Sequence, residues 1–117
     1  MRRAMSRPAL VAVASAIHVL LLAAGVAHAA DDAAIAKKAK EVCAACHGPD
    51  GNTPSGPDFP KLAGQHYDYL LHSLKGYKSG ARKNPIMASM VQPLTEQEME
   101  GLAEYYAHQQ GTLVTKK

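Results

Sequence analysis

The chain has 117 residues, a mass of 12.4 kDa, a formal charge of +3 and 47% hydrophobic residues, which suits one small domain. This length and composition exclude a large enzyme, a coiled coil, a disordered acidic chain and a repeat array. The charge is unevenly placed: Arg2, Arg3 and Arg7 are the only Lys, Arg, Asp or Glu before Asp31, so residues 31–117 are formally neutral.

The three arginines precede an apolar run from Ala9 to Val26, interrupted weakly by Ser15, His18 and Gly25. The run closes on Ala27-His28-Ala29, the small-x-small pattern of a signal-peptidase site. A membrane anchor is the competing reading, because about 18 apolar residues can span a bilayer. The alanine-rich run, its cleavage-like end and the absence of basic residues just after it favour a removed Sec-type signal, residues 1–30, cut after Ala29 or Ala30. Residues 31–117 are then expected in a periplasm, with no stable membrane anchor.

Residues 31–117 read as one all-α domain of three main helices, without a strand pattern. The first helix starts near Asp31-Asp32, with Ile35, Ala39 and Val42 at helical spacing. The second is predicted from Gln65 to Lys78, with Tyr67, Leu70, Leu71, Leu74 and Tyr77 on one stripe and Ser79-Gly80 as its stop. The third opens on Thr95-Glu96-Gln97-Glu98, a capping box. Met99, Leu102, Ala103 and Tyr106 form its apolar face, and Gly111 is its expected end. Residues 48–60 hold seven Gly or Pro in thirteen positions and cannot be helix or central strand. A second irregular segment is expected from Arg82 to Pro93. So small and loop-rich a domain rarely has core enough of its own, and a non-protein group is expected at its centre.

The two cysteines stand in Cys43-Ala44-Ala45-Cys46-His47. C-x-x-C-H is the attachment signature of c-type haem. Two thiols one turn apart match the two vinyl groups of a porphyrin, and the next histidine is placed to reach the iron. A redox disulfide would sit near a βαβ pattern that is missing here. A zinc site would need two more ligands from His66, His72 or His108, which lack a paired motif. A disulfide across two residues would close almost no loop. A second iron ligand would make a low-spin carrier of raised potential, and Met87 and Met90 before the last helix are the soft-donor candidates. Met99 belongs to the core.

From Asp31 to Gly111 the chain resembles a class I c-type cytochrome, of the small bacterial branch that also supplies single-haem halves of dihaem cytochromes. The resemblance rests on CAACHGPDGN, GPDFPKLAGQ, KNPIMASM and PLTEQEMEGLAEYYAHQ, in that order. It implies three helices and long loops wrapped around one covalent haem c, with Cys43 and Cys46 as thioethers and His47 as axial ligand to iron. It implies Met87, eight residues before Thr95, as the second ligand, with Met90 as the alternative and His66 or His72 in reserve. It implies that the Pro57 carbonyl orients His47. Phe59 packs against the porphyrin or serves as ordinary core, and Tyr105 and Tyr106 pack the last helix on the first. Two departures stand out. The first helix lacks the family's glycine, so Ala36 or Ala39 must meet the last helix, and the loop before Pro57 is about one residue longer.

The implied function is a periplasmic single-electron carrier in a respiratory or related chain, not an enzyme. The alternatives are an electron-accepting subunit of a dehydrogenase or oxidase and, behind it, an open-site peroxidase or gas sensor. Expected partners are transient redox proteins docking on a monomer. Lys61, Lys75, Lys78, Arg82 and Lys83 form either a basic docking rim or a solvated face. Nothing points to nucleic acid.

Overall fold

The computed structural model describes residues 31–113. The chain divides into two units, Met1–Asp32 and Ala33–Lys117, and the second carries the cysteine motif. The expected export signal and its cleavage point lie outside the described residues.

The unit is built from α1 (residues 33–47), α2 (Tyr67–Ser79), α3 (Pro85–Val91) and α4 (Glu96–Ala107), with no strand among the described residues. The all-α expectation holds, and three of these are the predicted helices. The fourth, α3, occupies the segment expected to be irregular. Asn84 caps it by accepting from the Ile86 and Met87 amides, each at 3.0 Å, and Pro85 takes the first helical position. That position has no partner for an amide proton, so a proline costs nothing there.

α4 begins as its sequence predicts. Thr95 Oγ1 accepts from the Glu98 amide at 3.1 Å, and Glu98 Oε2 accepts from the Thr95 amide at 2.8 Å. Met99, Leu102, Ala103 and Tyr106 are all buried and form the core with Ala39, Leu70, Val91 and Leu94. Each large apolar side chain so buried contributes about 1.5–3 kcal/mol. The helix ends at Ala107, short of Gly111. Gly111 instead lies against Ala63, where a Cβ would fall 2.0 Å from the carbonyl oxygen. On α2 only Leu70 of the expected stripe is fully buried; Leu71, Leu74 and Tyr77 are half-buried and Tyr67 is exposed.

α1 meets α4 at the start of that helix and again near its end. Lys38 Nζ reaches the free carboxylate oxygen of Glu98 at 2.6 Å, and the Tyr106 hydroxyl donates to the Ala39 carbonyl at 3.3 Å. The glycine expected on α1 has its counterpart on α4: a Cβ on Gly101 would sit 2.8 Å from Ile35 Cγ1. Ala39, 1% exposed, supplies the small residue on the α1 side.

Gly101→Val should therefore cost about 1–3 kcal/mol by overpacking, read as a fall in Tm, and Ile35→Ala in the same chain should recover part of it. An unchanged Tm in Gly101→Val would mean that the helices do not depend on this close approach. Lys38 first, then the Thr95 amide, hold the Glu98 carboxyl below its ordinary value of 4.5. Its contribution is fully present above that value and is lost as pH falls through the lowered one. Glu98→Gln should lower stability at pH 7 and flatten its decline in acid, measured by denaturant melts at stepped pH.

Candidate functional site

α1 does not run to its end as a plain α-helix. Ala39–Cys43 form a π-helical turn, closed by the Ala44 amide on the Ala39 carbonyl, before the last turn Ala44–His47. One extra residue in a turn rotates everything after it by about 100°. Val42, expected beside Ala39 on the core face, is instead 47% exposed and lines a cavity together with Cys43, Cys46 and His47. The alanine–valine spacing carries no sign of this shift.

The cavity measures about 740 Å³, within the range of about 300–1,000 Å³ usual for cofactor sites. Its walls are mostly apolar, with Leu70, Leu74, Val91 and Leu102 among them. Cys43 and Cys46 are free, half-buried thiols. Burial is the main cause pushing the Cys43 thiol up, against a smaller opposing hydrogen bond with Tyr106, so it is a neutral thiol at ordinary pH. Burial likewise drives the Tyr106 phenol well above its ordinary value.

His47 is the one buried polar residue among those described. Its Nδ1 lies 2.8 Å from the Pro60 carbonyl oxygen. A carbonyl only accepts, so Nδ1 carries the proton and Nε2 keeps the lone pair that a metal would need. The acceptor is Pro60, not the expected Pro57. A turn closed by the Phe59 amide on the Gly56 carbonyl, 3.2 Å, carries the chain past Pro57. Pro57 lines the cavity without receiving the imidazole. Phe59 lines it too, half-buried and outside the hydrophobic core cluster.

The loop is held to the helices on both sides. The Ser55 amide reaches the Cys46 carbonyl at 3.0 Å, the Leu62 amide that of Gly51 at 2.8 Å, and the Gly64 amide that of Tyr106 at 3.0 Å. Asn52 clamps the tail, donating to the Gln110 carbonyl at 2.6 Å and accepting from the Thr112 amide at 3.1 Å.

Met87 and Met90 both line the cavity from α3. Met87 is half-buried against the core, its amide held by Asn84, whereas Met90 is 45% exposed. His66 and His72 are exposed and absent from the cavity wall, and His108 is a surface partner of Glu104. No three His, Cys, Asp or Glu of the described residues group as a metal site. Tyr105 and Tyr106 meet edge to face, centroids 5.1 Å apart. Four of the five basic residues expected to form a rim are committed. Lys75 pairs with Glu96, Lys78 donates to the Gln92 and Leu94 carbonyls, Lys61 to Thr112, and Arg82 stacks on tyrosines.

Free thiols one turn apart, an imidazole with an orientated lone pair and thioethers on a separate helix, all around one apolar cavity, are the donor set of a haem protein. Comparison with known proteins gives the family. The model for Cytochrome c matches residues 33–110, and the chain belongs to the cytochrome c family, whose members carry covalent haem c with its iron. It is 44% identical over 98 residues to cytochrome c4 of Stutzerimonas stutzeri, covering 76% of this chain and 46% of that one. It is 38% identical over 84 residues to cytochrome c-554(548) of Halomonas halodenitrificans, covering 69% of this chain and all of that one. The crystal structure of reduced recombinant cytochrome c4 from Pseudomonas stutzeri superposes with a TM-score of 0.61 at 42% identity, covering 68% of this chain and 46% of that one. This chain thus spans about half the length of the cytochrome c4 relatives.

Pro60 and Asn84 are the site residues that motif reading missed. Asn84-Pro85 was available as a cap-and-N1 signal. Asn84→Ala should destabilise α3 by about 1 kcal/mol and speed hydrogen exchange of the Ile86 and Met87 amides. Unchanged exchange there would show that the cap does not hold the helix.

Proposed function

We propose that this protein is a periplasmic single-electron carrier, holding one haem c by thioether bonds to Cys43 and Cys46, with His47 Nε2 and Met87 Sδ as axial donors. The observation that carries the reading is the hydrogen bond from the buried His47 to the Pro60 carbonyl. It fixes the tautomer that leaves Nε2 basic and stops the ring from turning. The family membership and the free thiols on one turn support the attachment. The resting place of Met87, at the capped start of α3 and against the core, supports it over Met90.

When bound, the haem supplies the one-electron chemistry, and the protein supplies donors, orientation and exclusion of water. No substrate bond is made or broken. Periplasmic location rests on the expected signal; among the described residues no helix is long and apolar enough to cross a membrane. The full length of cytochrome c-554(548) aligns with this chain, which supports action as a single-haem unit with transient redox partners.

The purified protein should keep its haem after denaturation and show a low-spin spectrum in both oxidation states. Met87→Ala should keep the attached haem, turn high-spin and fall in reduction potential, while Met90→Ala keeps the native spectrum. The opposite pattern would make Met90 the ligand. Rapid carbon monoxide binding by the reduced wild type would mark an open iron position and overturn the carrier reading.

A further inference from the structure

The segment after α4 is gripped by a single side chain of the Gly- and Pro-rich loop. Asn52 Nδ2 donates to the Gln110 carbonyl at 2.6 Å, and Asn52 Oδ1 accepts from the Thr112 amide at 3.1 Å. One amide group thus bridges both sides of Gly111, as a neighbouring strand would. The grip needs a donor and an acceptor side by side, which a primary amide supplies and a carboxylate does not. Asp50 aims the residue, its Oδ1 accepting from the Asn52 amide at 2.8 Å and the Thr53 hydroxyl at 2.9 Å. Such an Asx turn fixes where the next side chains point.

The gripped segment lies on the residues that follow Pro60. Gly111 sits so close to Ala63 that a Cβ would fall 2.0 Å from its carbonyl oxygen, and Lys61 Nζ donates to Thr112 Oγ1 at 2.9 Å. The Leu62 and Ala63 amides both reach the Gly51 carbonyl, at 2.8 and 3.2 Å. Residues 61–63 are therefore tied to Gly51 and to the segment that Asn52, the next residue, holds in place. The Pro60 carbonyl shares a rigid peptide plane with Lys61, and the proline ring fixes its own φ. Where residues 61–63 sit thus decides where that carbonyl points, and it meets His47 Nδ1 at 2.8 Å. Pro60 is exposed, so water competes for the bond whenever the carbonyl swings aside.

We propose that Asn52 is a positioning residue for the axial histidine, acting through Gln110–Thr112 and residues 61–63 on the Pro60 carbonyl. This role rests on the haem reading of the site. A firm bond from Nδ1 to a carbonyl raises the basicity of Nε2, and a stronger donor favours iron(III). With the grip released, the carbonyl is free to turn and Nε2 becomes a weaker donor. The balance then moves toward iron(II). The segment after α4 thereby tunes a ligand that it does not touch.

The test compares haem-loaded wild type, Asn52→Ala and Thr112→Pro, with covalent haem checked by stain. Three quantities are read: solvent exchange of the His47 Nδ1 proton by NMR in the reduced state, the reduction potential and Tm. Asn52→Ala should speed that exchange about tenfold, the equivalent of one lost hydrogen bond, and raise the potential. Thr112→Pro loses the amide proton that Asn52 accepts but keeps the Gln110 bond, so it should move both in the same direction by less. It decides the question alone if Asn52→Ala fails to load. A purely structural role would lower Tm and leave exchange and potential in place. An unmoved exchange rate in a loaded variant overturns the proposal. Absence of covalent haem from the wild type would overturn the haem reading itself, a distinct result.

Discussion

α1 and α4 must approach closely and in one register, and the site depends on that approach. Gly101 lets Ile35 in, Ala39 is small enough to sit between the helices, and Tyr106 and Glu98 bond across to Ala39 and Lys38. The Ala39 carbonyl is also the acceptor that closes the π-helical turn. The hydroxyl that docks α4 on α1 therefore lands on the atom around which α1 changes pitch. That change turns Cys43, Cys46 and His47 toward the cavity.

The remaining walls depend on this arrangement by short links. The Cys46 carbonyl anchors Ser55, and the Tyr106 carbonyl anchors Gly64, so both ends of the Gly- and Pro-rich loop hang from the crossing helices. Between these anchors the loop brings Pro60 to His47. On the other side α4 supports α2 and α2 supports α3, which carries both methionines. The domain is lean in core, and its apolar side chains are split between a small packed centre and the lining of one cavity.

Much of this could be read from the sequence where one short-range rule governs. The Thr95–Glu98 capping box, the buried face Met99–Leu102–Ala103–Tyr106 and the C-x-x-C-H motif each depend on residues within a few positions of one another. What escaped depends on contacts between distant segments. The π turn has no composition signal, and the carbonyl that closes it also accepts from Tyr106, far away on α4. Gly101 looks like a weak point in a helix until Ile35 is known to lie against it. Pro57 and Pro60 are equally plausible acceptors in one dimension, and only the turn at Gly56–Phe59 chooses between them. α3 was missed because seven residues are too few for periodicity to outweigh the glycine, proline and charged residues around them.

The contacts that join α1 to α4 connect residues 60 and 67 positions apart. Loop closure over such separations is entropically costly before any contact rewards it, and contacts of this range slow folding. During synthesis, moreover, the first helix is made long before its partner exists. The motif residues of α1 therefore wait in an unclosed chain until α4 has been made. The order of translation leaves a time window in which Cys43, Cys46 and His47 can be reached from outside before the crossing closes over them.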